Sequence, residues 1–316
     1  MPHVPIQDEE LSLSTRAAWL HYAGGLSQTD VAKRLGVTKI KAHRLISRAN
    51  QEGIVKINFD GEIAECAALE MRLSETYGLS YCEVVPDLEE VGLPVRALGL
   101  SGARFLNREI SSGINDVIGV GNGRTLASCV HHMSSVRPKG VKFVSLLGGL
   151  TRNFAANPHD VMHRLAEKTG AEAYFMPVPF FANSVEDRDV MLKQRGVPEV
   201  REMAASSSFK FVGIGTAELS AQTVATGVVT ESAMQDVRKR GGVGELIGHF
   251  FNENGQRVRT KLADRTLSVG IEALENSRIV AVGGGDEKVR AIGSILRSGL
   301  LNGLITDERT AKALIN

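Results

Sequence analysis

Val117-Ile118-Gly119-Val120-Gly121-Asn122-Gly123-Arg124-Thr125 is the stretch on which the reading of the fold turns. Val117 to Val120 read as a buried strand, a glycine-punctuated turn follows, and a helix continues through His132. The theme recurs along the chain. Val141 to Leu147 form a second apolar run closed by Gly148-Gly149, and Phe209 to Thr216 a third with glycines at its end. Ile279 to Val282 run into Gly283-Gly284-Gly285 and then a helix from about Glu287. Leu304-Ile305 supply a last short strand before a helix from Glu308 to Leu314. Strands alternating with helices imply a doubly wound, mostly parallel sheet, so residues 61–316 are expected to form one large α/β domain.

In such sheets ligands bind beyond the carboxyl ends of the strands, where helix N-termini and glycine turns offer backbone N–H groups to an anion. One glycine turn alone would be weak evidence, since tight strand-to-helix turns use glycine anyway. Four in one domain, one carrying Arg124 and Thr125 and another followed by Lys288, point to a binding site. None matches G-x4-G-K-[ST], nor a complete G-x-G-x-x-G with an acid about 20 residues on. No nucleotide cofactor is therefore expected, and no other cofactor either.

Upstream the pattern changes. Leu13, Ala17, Leu20 and Gly24 recur at helical spacing, and Gly24-Gly25 closes that helix. Ser27 opens a second helix as N-cap with Asp30 three residues on, and Val31, Ala32 and Leu35 give it an apolar face. Gly36 stops it; Thr38 is the expected N-cap of a third, whose buried stripe is Ala42, Leu45, Ile46 and Ala49. This is the spacing of a helix-turn-helix, expected over residues 1–60, with the third helix in the major groove of a double-stranded DNA operator. Thr38, Lys39, Ile40, Lys41, His43 and Arg44 then face away from the core, where they can meet phosphates, guanine edges and thymine methyls. Ser27 and Gln28, opening the second helix, complete the expected DNA-binding set. Ile54 to Phe59 alternate like a short strand, a wing or exit ribbon.

Charge supports that reading. Between Lys33 and Lys56 stand seven basic residues and one acid, Glu52, so this stretch carries +6 while the whole chain carries +1. A localised basic segment on a nearly neutral protein is the footprint of a nucleic-acid reader. Three separated cysteines, Cys66, Cys82 and Cys129, form no CxxC pair and fit a reduced, cytoplasmic setting. No apolar run reaches the roughly 18 residues of a membrane span, and no membrane partner is expected. His159 and His163 stand near zinc-ligand spacing, but Asn157-Pro158 places them in a first helical turn without a third ligand, so no metal is expected. Trp19 sits at core spacing, Cys129 reads as a small buried residue, and Arg238-Lys239-Arg240 as charge suited to a helix C-terminus.

Co-ordered segments carry a wider resemblance. Leu26-Ser27-Gln28 through Gly53-Ile54-Val55, Gly119 to Thr125, and Ser145-Leu146-Leu147-Gly148-Gly149 come first. Gly242-Val243-Gly244-Glu245 with Phe250-Phe251, Gly283 to Lys288, Ala291-Ile292, and Leu300 to Asp307 follow. Together they resemble the SorC family of sugar-responsive transcriptional regulators, from Trp19 nearly to the C-terminus. The resemblance implies an effector domain related in fold to ribose-5-phosphate isomerase and glucosamine-6-phosphate deaminase. It implies a phosphorylated sugar or polyol as effector, and homotetramers on palindromic operators. It also implies that Gly121, Asn122, Gly123, Arg124 and Thr125, with Gly148, Gly149 and Thr151, line the ligand, Lys288 meeting its phosphate and Glu245 its hydroxyls. A phosphate suits backbone donors plus a cation, and a polyol suits a carboxylate acceptor. Leu150-Thr151-Arg152-Asn153 departs from the family pattern by adding a second cation, Arg152. The same loops would serve an isomerase or deaminase bearing an accessory DNA-binding head, with Glu245, Asp286 and Glu287 as available acids and bases. The basic reading head favours the regulator, and the chain is expected not to be an enzyme.

Overall fold

The computed structural model describes residues 6–51, 54–55, 62–90, 92–134, 136–138, 140–150 and 160–315. The chain divides into two compact units, Met1–Asp60 and Gly61–Asn316.

The first unit holds α1 (Ile6–Tyr22), α2 (Gln28–Leu35) and α3 (Lys39–Gln51). Ala17, Leu20, Val31, Ala32, Ala42, Leu45 and Ile46 bury one another at its centre. Local signals set the helix ends. The Ser27 hydroxyl accepts the Asp30 N–H at 3.2 Å, Gly36 closes α2 at φ +65°, and the Thr38 hydroxyl accepts the Lys41 N–H at 3.2 Å. Trp19 corrects an expectation: it is 63% exposed. At about 100° per residue it lies roughly 200° from Ala17, on the side of α1 opposite the Ser14-Ala17-Ala18 stripe that the core buries. Ile54 and Val55 carry no regular structure, and the remainder of the expected ribbon, from Lys56 on, lies outside the described residues.

In the second unit the strands are β1 (Tyr81–Val85), β2 (Val117–Val120), β3 (Lys142–Gly149), β4 (Ala173–Pro179), β5 (Phe209–Gly213) and β6 (Gly215–Thr216). They continue with β7 (Gly244–Leu246), β8 (His249–Phe251), β9 (Arg257–Val258), β10 (Arg278–Val282) and β11 (Gly303–Asp307). The helices are α4 (Glu62–Tyr77), α5 (Val95–Ser112), α6 (Arg124–His132), α7 (Val161–Thr169), α8 (Val185–Met191) and α9 (Val197–Ser206). After them come α10 (Gln222–Ala225), α11 (Glu231–Lys239), α12 (Ile271–Glu275), α13 (Val289–Arg297) and α14 (Glu308–Ile315). The main sheet has seven parallel strands in the order β1-β11-β10-β5-β2-β3-β4.

Period-two alternation sorts its side chains onto two faces. Phe209, Phe211, Val280 and Val282 pack with α5, α6 and α7, whereas Val212, Ile279 and Ala281 pack with α9, α12 and α13. The α/β architecture is as read from the sequence: a helix-turn-helix head and a doubly wound, mostly parallel domain. One element is additional. Residues 209–216 are not a single strand: the chain breaks at Ile214, and β6 joins a separate antiparallel sheet, β6-β7-β8-β9. The helix expected from Glu287 begins instead as a 3-10 turn, Asp286–Lys288. Lys210 is a fully buried cation whose ammonium meets the Ala205 and Ser207 carbonyls at the end of α9 and the Ser277 hydroxyl, at 3.3, 2.6 and 2.7 Å; burial lowers it to about 8.

Candidate effector pocket and DNA-reading helix

Strand order locates the candidate pocket. From β2 the chain moves outward through β3 and β4, then returns to the other side of β2 as β5 and runs on to β10 and β11. The direction of winding therefore reverses between β2 and β5, and a crevice opens beyond the carboxyl ends of two strands whose connections diverge. Gly121-Asn122-Gly123 leave β2 there, and Ile214 leaves β5.

Three charged side chains converge on this point from separate segments. Arg124 is the exposed first residue of α6, a nine-residue helix whose opening N–H groups have no acceptor within the helix. Lys288, in the 3-10 turn after β10, donates its ammonium to the Ile214 carbonyl at 2.8 Å. Burial and the neighbouring Arg124 guanidinium bring Lys288 down to about 8, against the opposing pull of Glu245 and Glu287. Glu245, at the middle of β7, pairs with Gly215 of β6 and accepts the Gly248 N–H. A Cβ on Gly215 would stand 2.2 Å from a Glu245 carboxylate oxygen, so only glycine leaves room for that carboxylate. Burial pushes the Glu245 carboxyl up, opposed by the Gly248 hydrogen bond and by Lys288. A lysine lowered by burial and by a neighbouring guanidinium, beside a buried carboxylate, forms a site suited to a ligand with an anionic end and hydroxyls.

Not every expected residue offers the chemistry read from the sequence. The Gly121 N–H donates to the Phe211 carbonyl at 2.9 Å and the Gly148 N–H to the Leu267 carbonyl at 2.8 Å, so both belong to the sheet framework rather than to a free anion cradle. Gly148 has a packing reason to be glycine: a Cβ there would lie 2.3 Å from the Pro179 carbonyl of β4. Strand β3 runs through Gly149, so the expected turn starts later than Gly148. The Gly123 N–H is taken by the Asn122 side chain at 2.7 Å, and Thr125 is buried. Thr151, Arg152 and His159 lie outside the described residues. His163 pairs with Asp160 at 3.0 Å, which also caps α7. Arg238 meets Glu218 at 3.2 Å and Arg240 meets Asp236 at 3.1 Å, as a solvated helix end would.

One element of the pocket escaped the sequence reading. Leu246 and His249 pair across a two-residue turn, Ile247-Gly248, with φ of +51° and +81°. Hairpins of this length favour two left-handed residues, and Asn-Gly is the usual choice. A β-branched residue held there costs on the order of 1–2 kcal/mol. Gly248 beside Glu245 and ahead of Phe250-Phe251 was the available signal; the isoleucine hid it.

On the head, Thr38, Lys39, Ile40, Lys41, His43 and Arg44 are all exposed, as is Ser27, while Gln28 is partly covered. Ile40 is 75% exposed, an aliphatic side chain in water on the face that carries three cations. Arg48, further along α3, is tied at 2.7 Å to Glu10 of α1 and so braces the head rather than extending the free face.

Comparison with known proteins places these features. The Sugar-bind family model, a sugar-binding domain, matches residues 61–316. The erythritol catabolism regulatory protein EryD of Brucella abortus (strain 2308) is 56% identical over 308 residues, covering 98% of each chain. The transcriptional regulator LsrR of Enterobacter sp. (strain 638) is 31% identical over 312 residues, 97% of this chain and 93% of that one. The full-length sorbitol operon regulator SorC of Klebsiella pneumoniae shares the fold, with a TM-score of 0.71 at 24% identity over 98% of this chain and 100% of that one. These relatives are transcriptional regulators rather than enzymes. Among the described residues no helix is long and apolar enough to cross a membrane. With a helix-turn-helix head followed by this α/β domain, the chain belongs to the SorC family of sugar-responsive transcriptional regulators.

Proposed function

We propose that this protein controls a carbohydrate or polyol catabolic operon in the cytoplasm, binding double-stranded operator DNA through residues 1–60 and a phosphorylated sugar or polyol through residues 61–316. The observation that carries the effector reading is the meeting of Arg124, Lys288 and Glu245 at the β2/β5 reversal. A phosphate would sit at the start of α6 against Arg124 and the Lys288 ammonium, and the polyol hydroxyls would meet Glu245. EryD, named for erythritol catabolism, makes a four-carbon polyol or its phosphate the first ligand to try. On the head, Lys39, Lys41 and Arg44 would contact phosphates or guanine edges, with Thr38, Ile40 and His43 beside them and Ser27 and Gln28 at the backbone.

One helix-turn-helix reads one half-site, and half-sites repeat at roughly 34–36 Å or a multiple of it, so the working unit is a homo-oligomer, in our reading a tetramer assembled through the large domain. Calorimetric titration with erythritol and erythritol 4-phosphate tests the pocket. Tighter binding of the phosphate, lost in Lys288→Ala, supports it; equal binding of both by the wild type removes the phosphate from the account.

A further inference from the structure

We propose that Ile247 is a positioning residue of the effector pocket, its left-handed backbone and buried side chain holding Glu245 and the Gly121–Arg124 turn in fixed relation; this rests on the effector reading above.

Ile247 touches three parts of the pocket wall. Its backbone sets the direction of the next N–H, that of Gly248, which donates to the Glu245 carboxylate. Its side chain is buried, and the Cδ1 methyl lies over Gly121, where an added Cβ would meet it at an ordinary van der Waals distance of 3.4 Å. Its carbonyl accepts the Ser268 hydroxyl at 2.8 Å, tying the turn to the segment that runs beside β3. On the far side Gly248 is walled more closely: a Cβ there would stand 2.3 Å from the Thr266 hydroxyl.

A left-handed, β-branched residue survives only where its surroundings over-determine it. Here the hydrogen bonds at Gly248 and Ser268 and the burial of the side chain do so together. The consequence is a carboxylate aimed by the turn rather than by its own rotamer alone. Such preorganisation favours ligand binding because Glu245 need not be ordered when the hydroxyls arrive. The turn also steadies the loop from which Arg124 springs, so one residue sets the spacing between the polyol end and the anionic end of the site.

The test uses the full-length protein, with erythritol and erythritol 4-phosphate as calorimetric probes. Ile247→Gly keeps the left-handed turn accessible but removes the buried side chain; Ile247→Leu retains a buried aliphatic side chain of the same size; Ser268→Ala cuts the tether and leaves the side chain intact. We expect Ile247→Gly to weaken both probes by about tenfold, Ser268→Ala to weaken them less, and Ile247→Leu to recover most of the affinity. A second readout separates positioning from general loosening. Glu245 faces the Gly248 N–H and Lys288, and a turn no longer pinned by the buried Ile247 side chain presents that N–H less persistently, which lets the carboxyl rise further. The acid limb of the affinity profile for erythritol, which has no titrating group, should therefore move to higher pH in Ile247→Gly and stay in place in Ile247→Leu. Wild-type affinity in a folded Ile247→Gly, or a lowered affinity with an unmoved acid limb, overturns the positioning role alone. A wild type that binds neither probe overturns it together with the effector reading.

Discussion

On α3 the cations Lys39, Lys41 and Arg44 stand exposed to water, whereas Lys288 is drawn half under the ends of β5 and β10 and brought down to about 8. In our reading both regions meet phosphate, yet the physics differs. Solvated cations attract a polyanion over a Debye length and give affinity that salt erodes, so they suit a long backbone whose exact pose is adjusted by contact. A desolvated lysine has already lost part of its hydration, and that loss is offset only when an anion of the right shape arrives. The head is thus organised for reach, and the pocket for discrimination.

The largest expected effect sharpens that contrast at the pocket. Lys288→Ala should weaken erythritol 4-phosphate binding by roughly 10- to 150-fold, the equivalent of about 1.5–3 kcal/mol for a charge-assisted bond, while changing erythritol affinity far less. Operator binding without effector should survive, since the substitution leaves the head untouched. Calorimetry and a gel-shift titration on the same preparation would measure both. Because free Lys288 sits at about 8 and the bound anion would raise it, affinity should hold steady up to about pH 8 and then fall by up to tenfold per pH unit. The sign is set by the preference of the anion for the charged amine, and Lys288→Ala should erase the alkaline limb. Affinity for the phosphate should also fall below about pH 6, where its second proton returns.

Smaller effects are expected on the head. Arg44→Ala or Lys41→Ala should lower operator affinity with the salt slope reduced by about one unit if the lost contact is to phosphate, measured by fluorescence anisotropy across salt concentrations. An unchanged slope with a changed base preference would move the residue to a base edge. Thr38→Ala removes the hydroxyl that caps α3 and should cost about 1 kcal/mol of stability, read from denaturant melting of the full chain.

What the sequence disclosed follows from how local each signal is. Ser27, Gly36 and Thr38 mark helix ends through neighbours three or four residues away, and they perform in the structure the capping roles read for them. The strands β2, β5 and β10, buried on both faces, were legible as apolar runs ending in glycine. The antiparallel sheet was not, because its strands are two or three residues long and too short to show alternation. Trp19 departs from the core spacing read for it because two residues after Ala17 turn it to the far side of α1. Gly148 shows another limit: a glycine required by the Pro179 carbonyl looks, in sequence, like one required by a ligand. Arg124, Glu245 and Lys288 could be named singly, but their meeting depends on the order in which seven strands pair, which no local pattern encodes.

In our reading an anion held by Lys288 and Arg124 alters how the exposed residues of α3 engage DNA. Ligand can shift DNA affinity only by the difference in its affinity for the two states of the protein. Titrating erythritol 4-phosphate into the wild-type protein on its operator, and following occupancy by anisotropy, tests this most directly. The account predicts a change in occupancy whose midpoint tracks the calorimetric affinity and moves to higher ligand concentration in Lys288→Ala. Occupancy that stays constant through full saturation of the pocket would contradict it.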